Sequence, residues 1–85
     1  MTRECPIEAL VARSLREAGI AFVTEQDPRA KHLDFYLLDD DIHIEVKAMH
    51  SDRIALQMAR APNVIAIQGP KAALFFNALC KGYKP

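Results

Sequence analysis

Apolar residues recur at helical spacing over residues 6–19, where Ile7, Leu10, Val11, Leu15 and Ala18 fall on one face. Pro6 suits the first helical position and Gly19 a C-terminal stop. IAFVTE (20–25) then reads as a strand, followed by the polar connection EQDPRAKH (25–32). LDFYLL (33–38) and IHIEVKA (42–48) alternate at period two across the acidic run Asp39-Asp40-Asp41, which reads as a hairpin turn. In the second of these strands His43, Glu45 and Lys47 share one face, and Ile44, Val46 and Ala48 share the other. Ser51 or Asp52 can cap a helix over about 52–61, ended by Pro62. The apolar run NVIAIQ (63–68) suits a buried strand beside a parallel neighbour. Gly69-Pro70 opens a last helix over about 70–81, closed by Gly82.

The order helix, three strands, helix, strand, helix predicts an α/β domain spanning residues 1–85, with no repeats and no interior linker. Half the residues are apolar, enough for a core, yet a chain of 85 residues has little stability to spare. A homodimer would add buried surface. The last helix is apolar nearly all round, through Ala72, Ala73, Leu74, Phe75, Phe76, Ala78 and Leu79. One face must meet the sheet; the rest, with Tyr83, serves either a dimer interface or the flank of a single core.

Cys5 and Cys80 form no zinc-like cluster and read as two reduced thiols. The start MTRECPIEAL lacks the pattern of a signal peptide, and no apolar run approaches membrane-span length, so a cytoplasmic protein, bacterial or phage-encoded, is expected. Net charge is zero but unevenly spread. Residues 1–46 carry ten acids against five Lys and Arg; residues 47–85 carry one acid against six. The acidic half contains the candidate metal ligands, and the basic half could meet phosphates.

Chemistry concentrates at Asp34, Glu45 and Lys47. Two carboxylates and an ammonium on neighbouring strands suit a hard divalent cation with a cationic helper, and Mg²⁺ or Mn²⁺ prefers such oxygen ligands. The element order, the spacing of Asp34 from Glu45-Val46-Lys47, and Glu8 on the first helix resemble the PD-(D/E)xK nuclease superfamily, with its restriction-endonuclease-like fold. The likeness covers about residues 6–68 and is greatest to compact members of the very-short-patch-repair-like and junction-resolvase-like kinds. The proline that often precedes the aspartate in that family is Leu33 here.

The resemblance implies an αβββαβ core with a mixed central sheet flanked by helices, to which this chain adds a C-terminal helix. It also implies a Mg²⁺-dependent endonuclease, Mn²⁺ substituting, that hydrolyses DNA phosphodiester bonds in branched or nicked structures. Its catalytic residues would be Glu8, Asp34, Glu45 and Lys47. Asp34, Glu45, the Val46 carbonyl and Glu8 would hold the metal. Arg53, Gln57 and Arg60, spaced along one stripe of the second helix, would meet the substrate, with Gln57 supporting Lys47. Glu8 would equally serve as a first-turn acid facing the helix dipole. The alternative is a non-catalytic nucleic-acid- or protein-binding module on the same fold.

Overall fold

The computed structural model describes residues 6–47 and 54–83. Its elements follow the expected order: α1 (Pro6–Glu17), β1 (Phe22–Thr24), β2 (Phe35–Leu37), β3 (Ile42–Lys47), α2 (Ile54–Met58), β4 (Val64–Gln68) and α3 (Gly69–Lys81). The four strands form one mixed sheet in the order β1-β2-β3-β4. β1 and β2 are antiparallel, as are β2 and β3, while β3 and β4 run parallel. An antiparallel pair needs only a tight turn, here Leu38–Asp41, where Asp41 takes a φ of 54° and its N–H donates to the Leu37 carbonyl at 3.0 Å. The parallel pair needs a crossover, and α2 supplies it.

Ile44 and Val46 of β3, Phe35 and Leu37 of β2 and Ile67 of β4 point to one face, where Val11 and Leu15 of α1 and Ala73 of α3 complete the core. The periodicity of α1 has this cause: Val11 and Leu15, one turn apart, are both wholly buried. α1 and α3 pack side by side on this face. Between them Ser14, itself buried, donates to the Leu10 carbonyl at 2.7 Å and accepts from Asn77 Nδ2 at 2.7 Å. Asn77→Ala is expected to lower stability by about 1 kcal/mol, or about 4–8 °C in a thermal melt. An unchanged melting temperature would show that Ser14 needs only its bond to Leu10.

Several elements are shorter than their sequence patterns. β1 begins at Phe22 and not Ile20, because the chain is still leaving α1 through a turn in which Ile20 N–H bonds the Leu15 carbonyl. β2 begins at Phe35 because a 3₁₀ turn over Pro28–Ala30 precedes it. Lys31 and His32 then take φ values of 54° and 67° before Leu33 is buried. α2 ends at Met58, four residues before Pro62. Cys5 and the cap candidates Ser51 and Asp52 lie outside the described residues. No helix among the described residues is long and apolar enough to cross a membrane.

Candidate functional site

The face of β3 opposite the core carries His43, Glu45 and Lys47. Antiparallel pairing sets Phe35 against Ile44, so Asp34, one residue before β2, falls opposite Glu45. Their side chains brace the two segments reciprocally. Asp34 Oδ2 accepts from the Val46 N–H at 2.7 Å, and Glu45 Oε1 accepts from the Asp34 N–H at 3.3 Å. Lys47, two residues along the same face, brings its Nζ within 3.6 Å of Glu45 Oε2. The three residues singled out by spacing therefore converge in space.

The electrostatics of this cluster are tense. Glu45 is only 3% exposed. Burial first, then the hydrogen bonding and charge of the Asp34 side chain, push its carboxyl from 4.5 up to about 7, against the charge of Lys47 and the Asp34 N–H, which favour the ionised form. Two carboxylates and one ammonium leave a local excess of negative charge when both acids are ionised. A hard cation would relieve it, and this donor set of carboxylate oxygens suits Mg²⁺ or Mn²⁺, which need only one or two protein carboxylates beside water and phosphate.

Glu8 does not complete a triad: among the described residues, no three His, Cys, Asp or Glu side chains form a group suited to a metal ion. It lies half-buried in the first turn of α1. α1 leads into β1 through a short turn, and β1 pairs through β2 so as to run parallel to β3. The N-terminal end of α1 therefore lies toward the Lys47 end of the sheet.

Of the stripe expected on α2, Gln57 and Arg60 are among the described residues. Ile54, Gln57 and, beyond the helix end, Ala61 are its half-buried positions, while Leu56 and Met58 are exposed. Gln57 turns inward against the sheet, its Oε1 buried and without a hydrogen-bond partner among the described residues. Arg60 lies exposed in the turn after Met58, because the helix stops before it could continue the stripe. Arg53 lies outside the described residues.

Gln68 is the residue that sequence reasoning missed. Parallel pairing sets it beside Lys47, and its Oε1 is also buried without a hydrogen-bond partner among the described residues. Two such amide oxygens, one on α2 and one on β4, thus belong to the elements that flank β3. Each is an acceptor that a bound water or an ammonium would satisfy. The alternation of β4 holds the signal for Gln68, but only once the β3–β4 register is known.

His43 has a structural task. Its Nε2 lies 3.2 Å from the Arg29 carbonyl, so that nitrogen carries the proton and ties β3 to the 3₁₀ turn. Its ring packs on Tyr36 at 4.6 Å between centroids. Lys31 and His32 are exposed in the turn before Asp34. Comparison with family models, characterised proteins and solved structures gives no match.

Proposed function

We propose that this chain is a Mg²⁺-dependent endonuclease that hydrolyses DNA phosphodiester bonds, built on a restriction-endonuclease-like core. One observation carries the reading: Asp34, Glu45 and Lys47, singled out in the sequence, come together at the paired ends of β2 and β3. The element order and the mixed sheet, two antiparallel pairings followed by a parallel one, support the same reading.

In this account Asp34, Glu45 and the Val46 carbonyl hold the cation. When bound, Mg²⁺ lowers the pKa of a water and neutralises charge on the scissile phosphate. Lys47 stands on the same face as Glu45 with its ammonium partly exposed, where it can orient the attacking water or donate to a phosphate oxygen. Glu45 must be ionised to act as a ligand, so its raised pKa makes metal loading favour neutral to alkaline pH. Gln68, beside Lys47, and Gln57 offer buried acceptors for a bound water. DNA approaches the exposed end of this face, where Lys47 supplies positive charge. A site with no separate sequence-reading element suits branched or nicked DNA.

The reciprocal bracing of Asp34 and Glu45 favours one second reading, a binding module in which these acids only fasten β2 to β3. A panel of labelled DNAs separates the two: duplex, single strand, mismatch, nick, flap and four-way junction, each with Mg²⁺, Mn²⁺ or EDTA. Cutting with either metal and none with EDTA is expected, and the preferred substrate names the subtype. Binding without cutting by folded protein would replace the nuclease with the binding module.

A further inference from the structure

The inward side of α3 is accounted for by Ala72, Ala73, Phe76, Asn77 and Cys80, all buried or half-buried. The outward side is apolar as well. Leu74 is 61% exposed, Phe75 67% and Leu79 60%. These three side chains lie outside the core cluster.

Their arrangement is self-complementary. Phe75 and Leu79 fall at i and i+4 and make a ridge along the helix. The adjacent row is Leu74, Ala78 and Gly82, so a groove floored by a methyl group and a glycine runs beside that ridge. A helix that carries a large ridge next to a shallow row can receive the ridge of an identical helix. Interlocking of i±4 rows is the commonest helix-packing class, with axes crossing at about −50°. A two-fold axis through the middle of the patch would seat each ridge in the other groove.

Area and charge point the same way. With full large side chains on the order of 200 Å², the three residues expose on the order of 350 Å². A two-fold contact buries that area on both copies. With the flanking Lys71 stem, Ala78 and Gly82 it reaches the ~1,000 Å² that a specific interface needs. Lys71 and Lys81 are the charges of α3 and stand near its two ends, leaving the centre uncharged. Steep crossing sets the lysines of the two copies at the rim, as in interfaces with an apolar centre and a polar border.

We propose that the outward face of α3 is the interface of a two-fold homodimer, with the Phe75–Leu79 ridge of each copy in the shallow row that Ala78 and Gly82 make on the other. The inference goes beyond the nuclease reading and does not depend on it, because its readout is mass and not cleavage. At this interface size a dissociation constant in the micromolar range is expected.

Sedimentation velocity from about 1 to about 200 µM spans that range. The wild-type chain is expected to move from its monomer mass of 9.5 kDa to twice that value as concentration rises. Phe75→Glu and Leu79→Glu should each weaken association at least about 100-fold, with an unchanged circular dichroism spectrum. Leu56→Glu, at an exposed leucine on α2, should leave dimerisation intact. Wild-type protein that stays monomeric throughout overturns the proposal. A dimer that survives both α3 substitutions, or an assembly larger than two, overturns it as well.

Discussion

Asp34→Asn is expected to slow Mg²⁺-dependent DNA cleavage on the order of 10³-fold, about 4 kcal/mol of transition-state stabilisation, with little change in melting temperature. Asparagine keeps an oxygen where Asp34 Oδ2 accepts the Val46 N–H at 2.7 Å, so the brace between β2 and β3 survives while the charge is lost. Asp34→Ala removes both, and about 1–3 kcal/mol of stability should go with the orphaned N–H. Lys47→Ala makes the reverse comparison. Its partly exposed ion pair with Glu45 contributes at most about 1 kcal/mol to folding, yet its loss should slow cleavage about 10²–10³-fold. Single-turnover cleavage and thermal melts of the three variants check these outcomes. An Asp34→Asn protein as active as wild type would reduce Asp34 to a brace.

Glu45 should make the metal-free protein less stable as pH rises. Its carboxyl is pushed up to about 7 in the folded chain by burial and by Asp34, against 4.5 ordinarily. The folded state therefore binds this proton more tightly than the unfolded state. The stabilising contribution is complete below about pH 4.5 and is lost as pH passes through about 7. From about pH 5 to pH 8 the loss should approach 2–3 kcal/mol, or about 10 °C in melting temperature. Glu45→Gln should flatten that profile and raise stability at the alkaline end, because no charge is then buried. It should also abolish cleavage. Added Mg²⁺ should stabilise wild type more at about pH 8 than at about pH 5, since the cation competes with the proton for the same oxygens. Melts recorded across this range with and without EDTA measure both effects. A flat wild-type profile would mean that Glu45 is ionised at little cost in the folded chain.

The convergence of Asp34 with Glu45 and Lys47 was legible in the sequence because it depends on local geometry. A short acidic turn between two alternating runs defines an antiparallel pair, and alternation then decides which side chains share a face. The core face was legible for the same reason, through Ile44, Val46 and the helical repeat of Val11 and Leu15. The parallel β3–β4 register was not, since it is set through a crossover by packing and not by a turn; Gln68 beside Lys47 went unseen with it. The end of α2 at Met58 was equally hidden. Pro62 marks where a helix must stop, and this one stops earlier, which turns Gln57 inward and leaves Arg60 in a turn. Alternation placed His43 in line with the site, but it could not show the Arg29 carbonyl and Tyr36 ring that occupy it.

The most direct test of the nuclease account is a single-turnover time course with purified protein on the best substrate of the DNA panel. It would compare wild type in Mg²⁺, wild type in EDTA and Lys47→Ala in Mg²⁺. The account predicts cleavage in the first reaction alone, with both proteins equally folded. Cleavage that persists in EDTA, or that Lys47→Ala leaves unchanged, would contradict it.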